Sequence, residues 1–319
     1  MKKNMFLLLM LLFIAYILGY PEESMRAAAD GLVLWYERVL PALLPFSILS
    51  NILIYSGMLT PIMRRLAFLV RILIPVSDAG AFVLFSGFLF GFPMGSKNCS
   101  ELLKNGQISL AEAEILFIIT NNIGPVFISG YIFHQQLQMP ALTLPGIALL
   151  YLPPLLLGSL LLRRQKHREH GVKKVEFFAK GDGDKQKNPA SGSQMNFKII
   201  DAGIMNGFET LAKLGGYIML FSMAASLIKQ LPLPVLWQTV GIGATEITNG
   251  IREASLLPNP SDKFLLAMGF AAFGGISGLA QTASMVKGTG LSMKKYIVGK
   301  LFLTAVTVCL SICYLKFFC

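Results

Sequence analysis

Two apolar stretches of this chain end before they are long enough to cross a membrane, and each runs into polar, glycine-containing sequence. The first covers residues 79–93 and the second covers residues 233–245. Polar backbone at membrane depth is tolerated only where protein or a water-filled cavity covers it. Interrupted apolar segments in corresponding halves of a membrane protein are also the best sequence indication of a transport site. This pair therefore restricts the fold more than any single residue does.

The composition is typical of a protein that crosses the membrane several times. Of the 319 residues, 54% are hydrophobic and 14% are charged, whereas soluble domains carry about 25% charged residues. The four cysteines include no C-x-x-C pair, so we expect neither a disulfide framework nor a metal site. The sequence contains no Walker A, H-E-x-x-H or G-x-S-x-G motif. We therefore expect no ATP-driven pump, no enzyme and no cofactor.

The net charge of +11 is concentrated between residues 163 and 198, where ten Lys or Arg residues stand against four Asp or Glu residues. The glycine, serine and proline of this stretch are typical of a flexible linker. Cytoplasmic loops of membrane proteins carry such a positive excess, so we place the linker in the cytoplasm. A nucleic-acid partner is not needed to explain the charge, and we expect none.

The same charge rule divides the chain. We expect an uncleaved N-terminal transmembrane anchor over residues 1–20, a first repeat over 21–162, the basic linker over 163–198 and a second repeat over 199–319. In each repeat an amphipathic lead-in, 25–38 or 201–213, precedes a full span. The residues expected to mark the cytoplasmic face are Arg64, Arg65 and Arg71, on a short interfacial helix, and Lys287, Lys294, Lys295 and Lys300.

The linker lies in the cytoplasm only if residues 79–106 dip into the membrane and return to the same side, because a full crossing would place the linker outside. Arms of about 11–15 residues, at about 1.5 Å per residue, reach about half of a 30 Å membrane core. Residues 232–257 repeat this arrangement but enter from the outside. The predicted fold is therefore an all-α polytopic membrane protein of inverted repeats, each with a re-entrant helical hairpin.

The second arm of each hairpin begins with polar residues that suit an anion. A broken helix exposes unpaired N–H groups at the start of its second arm, and these donors and the helix dipole attract negative charge. Because a cation also lies at each start, the predicted substrate is a small molecule with carboxylates. The residues assigned to its binding are Ser96, Lys97, Asn98, Thr248, Asn249 and Arg252. Two alternatives stay open: Lys97 could lie near the surface, and Arg252 could pair with Glu253.

Glu246 lies at the end of an apolar run, at the predicted midplane of the membrane. A buried carboxylate is costly unless it is paired or protonated. Two interpretations are open. Glu246 is either a coupling site for a proton or Na⁺, or the partner of Lys97 or Arg252 in an ion pair that only locks the hairpins together.

The long spans that face the hairpins, residues 112–133 and 263–286, are also interrupted. Pro125 is expected to free a carbonyl and kink the first span. Small residues in the second span allow close helix packing, which explains Gly275, Ser277 and Gly278 as well as substrate contact does. The polar residues assigned to binding are Asn121, Asn122, Ser277, Gln281 and Thr282. The residues assigned to hinges are Gly91, Pro93, Gly95, Gly124, Pro125, Gly274 and Gly275.

Several of these motifs resemble a known family. In the first repeat they are Gly91-Phe92-Pro93-Met94-Gly95 and Asn122-x-Gly124-Pro125, which are similar to the nucleoside-recognition, or gate, domain superfamily. In the second repeat they are Glu246-Ile247-Thr248-Asn249-Gly250 and Phe273-Gly274-Gly275-Ile276-Ser277. These resemble the sporulation integral membrane proteins of the YlbJ-like (stage V sporulation protein VV) branch. The resemblance covers roughly residues 30–318, without the basic linker.

The resemblance implies a fold related to concentrative nucleoside transporters, with two helical hairpins meeting at a central site. It also implies the cytoplasmic membrane of a spore-forming bacterium, at the outer forespore membrane, and transport of dipicolinic acid, a small aromatic dianion. We expect alternating access at the hairpin tips, with a proton or Na⁺ as the ion if transport is coupled. A nucleoside or other neutral solute as the substrate, a non-transporting scaffold for spore-envelope assembly, and a homo-oligomer all stay open.

Overall fold

The part of the chain that the computed structural model describes contains helices and no strands. It comprises residues 2–56, 58, 67–68, 70–71, 74–171 and 197–318. Arg64 and Arg65, expected on an interfacial helix, and most of the basic linker lie outside these ranges.

The helices of the first half are α1 Lys2–Gly19, α2 Pro21–Leu34, a π-helical turn Trp35–Val39, α3 Leu40–Tyr55, α4 Asp78–Phe90, α5 Met94–Lys104, α6 Leu110–Ile119, a π-helical stretch Phe127–Gln136, a 3-10 turn Pro140–Leu142 and α7 Thr143–Gly171. The helices of the second half are α8 Phe197–Lys229, α9 Val235–Thr245, α10 Ile247–Ser255, α11 Pro260–Phe273, α12 Gly275–Met285 and α13 Met293–Phe318.

Four stretches of the described chain are helical, long and apolar enough to cross a membrane: Pro140–Lys166, Phe197–Lys229, Pro260–Met285 and Met293–Phe317. A fifth span results if Pro21–Val39 and Leu43–Tyr55, bent by 57° to each other, cross together. These spans confirm an all-α polytopic membrane protein. How deeply the hairpins enter the bilayer stays a prediction. The re-entry of the hairpins and the inversion of the repeats depend on that depth and stay predictions as well.

The two halves are joined along α8. Both α2 and α3 pack on this helix, and the indole nitrogen of Trp35 donates to the carbonyl of Leu211 at 2.8 Å. The amide of Asn51 donates to the carbonyl of Gly203 at 3.1 Å. The predicted lead-in at residues 201–213 is not a separate element, because α8 runs unbroken from Phe197 to Lys229.

The first interrupted segment is a helix–break–helix unit at the predicted place. Arms α4 and α5 pack against each other. Ser77 caps α4 by accepting a hydrogen bond from the Gly80 amide at 2.9 Å. The arm ends at Gly91, whose φ of +79° would strain a side chain. Phe92 and Pro93, joined by a cis peptide bond, separate it from α5.

Small residues let both arms of this hairpin reach the end of α6. Gly87 on α4 and Gly95 on α5 both lie against Thr120, and a Cβ atom at either glycine would overlap the Thr120 carbonyl oxygen. The close approach therefore requires glycine on each arm.

The second interrupted segment also forms two helical arms, α9 and α10, and its break is a single extended residue, Glu246, with φ −144° and ψ 125°. The arms touch at a glycine pair, because a Cβ atom on Gly250 would overlap the Cα atom of Gly243. Both breaks thus lie where the sequence places them, and the second is the shorter.

The helices facing the hairpins are broken as well. The first ends at Ile119 and resumes at Pro125. Pro125 therefore does not kink a continuous helix, as predicted, but begins the next one, where its missing N–H group costs nothing. The second break is at Gly274, whose φ of +83° ends α11 and starts α12.

Candidate functional site

The tip of the first hairpin lies on the break that follows α6. The amide nitrogen of Phe92 donates to the carbonyl oxygen of Asn122 at 2.6 Å. The ring of Phe92 also reaches α12, where a Cβ atom on Gly278 would lie 3.6 Å from it. That distance is an ordinary van der Waals contact, so the Phe92 ring packs on α12 at this position.

The break of the second hairpin meets the break between α11 and α12. A Cβ atom on Gly275 would lie 3.1 Å from the carbonyl oxygen of Thr245 and 3.5 Å from the Cα atom of Glu246. Helix α12 also packs on α5. The four interruptions predicted from the sequence therefore come together in the interior.

Lys97 lies in this interior and does not reach the surface. Only 3% of the residue is exposed, and its Nζ atom donates to the hydroxyl of Ser47 on α3 at 2.7 Å. Within the described ranges it forms no salt bridge. Helix α5 begins at Met94, three residues before Lys97, with no side-chain cap, and the Met94 nitrogen donates to the carbonyl of Gly91 at 3.0 Å.

Polar residues beside Lys97 have unused hydrogen-bonding groups. Asn98 is fully buried, and neither atom of its amide finds a partner in the described part of the chain. The buried hydroxyl of Ser100 is equally unpartnered there. Ser96, in contrast, donates to the Pro93 carbonyl at 2.8 Å. Buried polar groups without partners are rare and indicate water or a ligand.

Glu246 is satisfied by its own helix. Its carboxylate accepts from the backbone nitrogen of Thr248 at 3.1 Å, the backbone nitrogen of Asn249 at 2.8 Å and the Asn249 side-chain nitrogen at 2.8 Å. The Thr248 hydroxyl donates to it as well. It forms no salt bridge with Lys97 or Arg252. The start of α10 thus already holds an anionic group that the chain supplies.

Arg252 lies away from the interior. Its side chain is 48% exposed and 3.7 Å from the carboxylate of Asp30 on α2. Glu253 pairs instead with Lys229 at 2.7 Å, so the local Arg252–Glu253 pair is not formed. Arg252 and Asn249 line a cleft of about 240 Å³ between α2, α8 and the second hairpin, and Lys97 does not line it. The two cations predicted to share one site are therefore in different environments.

The asparagine pair at the first break contacts two residues of α13 that sequence reasoning missed. The side-chain nitrogen of Asn121 donates to the hydroxyls of Thr282 and Tyr296, both at 2.6 Å. The Nζ atom of Lys300 donates to the side-chain oxygen of Asn122 at 3.2 Å. Tyr296 and Lys300 are four residues apart, on one helix face.

Lys300, assigned with Lys287, Lys294 and Lys295 to the cytoplasmic face, differs from them in its burial. The other three are exposed, whereas Lys300 is 2% exposed. A signal was present in the sequence, since apolar residues flank Lys300 on both sides. An ionisable residue within such a run marks a functional site by default.

Gln281 completes the buried polar set on α12. Its side-chain nitrogen donates to the Ser277 hydroxyl at 2.9 Å, and its side-chain oxygen has no partner among the described residues. The side-chain oxygen of Asn121 also has no hydrogen-bond partner among the described residues. No group of three His, Cys, Asp or Glu residues in the described ranges could hold a metal ion.

A comparison with known proteins bears on the family. The chain is 28% identical over 320 aligned residues to the sporulation integral membrane protein YlbJ of Bacillus subtilis (strain 168), in an alignment covering 90% of this chain and 76% of that relative. No protein-family model matches the chain, and no solved structure matches it significantly. The similarity confirms the resemblance to the YlbJ-like family. Membership of the gate-domain superfamily stays a prediction.

Two observations show where the protein resides: the similar Bacillus subtilis protein is an integral membrane protein, and four helices of the described chain can cross a membrane. The protein is an integral membrane protein, consistent with a membrane role in sporulation.

Proposed function

We propose that the protein is a membrane transporter of a small organic anion, with dipicolinic acid at the outer forespore membrane as the favoured substrate. The observation that carries the proposal is Lys97, an ammonium 3% exposed whose hydrogen bond goes to the neutral hydroxyl of Ser47. Burying an unpaired charge costs several kcal/mol. A substrate carboxylate would supply the missing partner.

The start of α5 supports the same assignment. Its first N–H groups have no side-chain cap, and the dipole of an 11-residue helix adds partial positive charge there. The unpartnered amide nitrogen of Asn98 offers a further donor. The backbone nitrogens of Met94 and Lys97 already donate to the carbonyls of Gly91 and Pro93. A dianion would therefore be held by the Lys97 ammonium, the positive end of the helix dipole and the Asn98 amide.

Residues of the two broken spans that face the hairpins can contact the remainder of the substrate. The amide of Asn121 bonds to two hydroxyl groups and that of Gln281 bonds to one. Hydroxyl groups both donate and accept, so each amide can present either its oxygen or its nitrogen to a ligand. We assign Asn121, Gln281 and Thr282 to this role.

The mechanism we favour is alternating access, in which the first and second hairpins open toward opposite sides in turn. The hinges we assign are Gly91, in the break of the first hairpin, and Gly274, in the break of the span that faces the second hairpin, and both adopt a positive φ. Glu246 is the candidate for coupling to a proton or Na⁺, since it lies at the second break and is 2% exposed.

A neutral solute such as a nucleoside is the second candidate. The side-chain oxygens of Asn121 and Gln281, which have no partner in the described part of the chain, would accept hydrogen bonds from a nucleobase. Lys97 favours the anion, because a carboxylate would give its ammonium the direct salt bridge that it lacks among the described residues.

The test is uptake of labelled dipicolinate into proteoliposomes containing the wild type, Lys97→Met or Lys104→Met. Lys104 is the matched control, since it lies on the same helix and is exposed. We expect saturable uptake by the wild type and Lys104→Met and loss of uptake in folded Lys97→Met. Uptake of uridine without uptake of dipicolinate would replace the anion with a neutral solute. Uptake of neither by folded wild type would favour the scaffold.

A further inference from the structure

Lys300 is a second buried lysine, and the proposed binding of substrate does not use it. It is 2% exposed, and its Nζ atom donates to the side-chain oxygen of Asn122 at 3.2 Å. Over the described ranges it forms no salt bridge. Its neighbour Lys295, one to two turns earlier, pairs with Glu114 at 2.6 Å and is 61% exposed. Of these two lysines, the buried one therefore lacks an acidic partner within the described chain.

The contact between Lys300 and Asn122 has a fixed polarity. The side-chain nitrogen of Asn122 donates to the carbonyl oxygen of Ile119 at 2.6 Å, so its oxygen points to the ammonium. Rotating the amide by 180° would set two donors against each other and two oxygens against each other. The acceptor therefore faces Lys300 because the end of α6 holds it there.

This place is the negative end of a half-helix. Ile119 is the last residue of α6, and the last carbonyl groups of a helix have no intrahelical partner and carry the negative end of its dipole. In transporters with broken helices, such carbonyls and half-helix ends coordinate Na⁺ or a proton. Here the end of α6 is bound, through Asn122, to a lysine ammonium.

The same residue also holds the first hairpin. The backbone carbonyl of Asn122 accepts from the Phe92 nitrogen at the hairpin tip at 2.6 Å. A charge that stabilises the conformation of Asn122 therefore also stabilises the hydrogen bond that holds the tip of the first hairpin.

We propose that Lys300 is a tethered cation that takes the place of a dissociable ion at the break after α6. Because the chain carries its own positive charge at this position, the tip of the first hairpin binds Asn122 without a free Na⁺ ion there. The consequence for coupling rests on the proposed transport function, but the structural role of the ammonium does not. Removing the side chain creates a cation site lined by the side-chain oxygen of Asn122.

The first test is thermal unfolding of the purified full-length protein in Na⁺, ethylammonium or choline chloride at equal ionic strength. Lys300→Ala should have a lower melting temperature than the wild type in choline, whose quaternary nitrogen has no N–H group to donate to Asn122. Na⁺ or ethylammonium should then raise that temperature in a saturable way. The wild type and the matched variant Lys295→Ala should respond alike to the three salts, and neither should show the rise with ethylammonium that Lys300→Ala shows.

Two further variants keep the test decisive if Lys300→Ala does not fold. Lys300→Arg retains the charge and should unfold near the wild-type temperature. Lys300→Met retains the apolar stem and should unfold at a lower one. Equal melting temperatures for Lys300→Met and the wild type, or a Lys300→Ala protein that responds to no cation, would overturn the proposal.

Transport then gives an independent readout. Added ethylammonium should restore dipicolinate uptake by Lys300→Ala and should leave uptake by the wild type unchanged. If the wild type carries no dipicolinate, the transport function fails, but the melting temperatures still decide the role of Lys300.

Discussion

Asn249 donates two hydrogen bonds to the carboxylate of Glu246, one from its backbone nitrogen and one from its side-chain nitrogen, each 2.8 Å long. The positive end of α10 is thereby neutralised by an anion from the chain itself. Helix α5 begins without such a cap, near the buried Lys97. The two hairpins are chemically unlike, and a substrate anion should bind the first one.

Removing this cap should destabilise the second hairpin. Glu246→Ala leaves the N–H groups of Thr248 and Asn249 without their acceptor. Loss of an N-cap costs about 0.5–2 kcal/mol, and each buried donor left unsatisfied costs about 1–3 kcal/mol. We expect a clear fall in the melting temperature of the purified protein.

Glu253→Ala is the control for that measurement. Glu253 pairs with Lys229, which is 54% exposed, and such pairs contribute only about 0–1 kcal/mol. An equal fall in the melting temperature of both variants would mean that the Glu246 cap contributes no more to stability than the surface ion pair of Glu253.

The charge of Glu246 can be tested separately from its hydrogen bonds. Glu246→Gln keeps an acceptor for the helix N-terminus but cannot bind a proton or Na⁺ as a carboxylate does. If Glu246 couples transport, this variant should retain dipicolinate uptake but lose the response to an imposed pH or Na⁺ gradient. A variant that still responds as the wild type does would leave Glu246 with the capping role alone.

The glycine pair of the second hairpin should not tolerate a methyl group. In Gly250→Ala the new Cβ atom would overlap the backbone of Gly243, so the arms must separate. Backbone displaces less easily than a side chain, so we expect a loss of several kcal/mol and a low yield of monodisperse protein.

Gly216→Ala provides the comparison, because Gly216 lies in α8 with open space around its Cα atom. Alanine is about 1 kcal/mol better than glycine in a helix, so this variant should be as stable as the wild type or slightly more stable. Equal behaviour of the two alanine variants would contradict the close contact of the arms.

The breaks in the helices could be predicted from the sequence because their causes are local. Gly91 and Gly274 adopt positive φ, which other residues rarely do, and Pro93 cannot continue a helix. The cap at Glu246 was harder to foresee, because glutamate is not among the preferred N-cap residues. Its burial predicted either a coupling site or an ion pair, and the structure shows that the N–H groups at the start of α10 compensate its charge.

The partners of the breaks could not be predicted, since they depend on which face of a distant helix turns inward. Lys294, Lys295 and Lys300 have the same charge, and the charge rule assigned all three to one membrane face. Packing of α13 against α6 buries Tyr296 and Lys300. Only the tertiary structure shows that these residues bind the asparagine pair at the first break.

Dipicolinate should stabilise the folded protein if Lys97 binds it. A ligand that binds only the folded state adds about 2.7 kcal/mol of stability at one hundred times its Kd, so the melting temperature should rise and then saturate. Lys97→Met should lose this shift and Lys104→Met should retain it. Pyridine-2-carboxylate, with one carboxylate fewer, should need a higher concentration, and uridine should have no effect. A shift with uridine and none with dipicolinate would assign the buried site to a neutral solute, and Lys97 would then need another counterion.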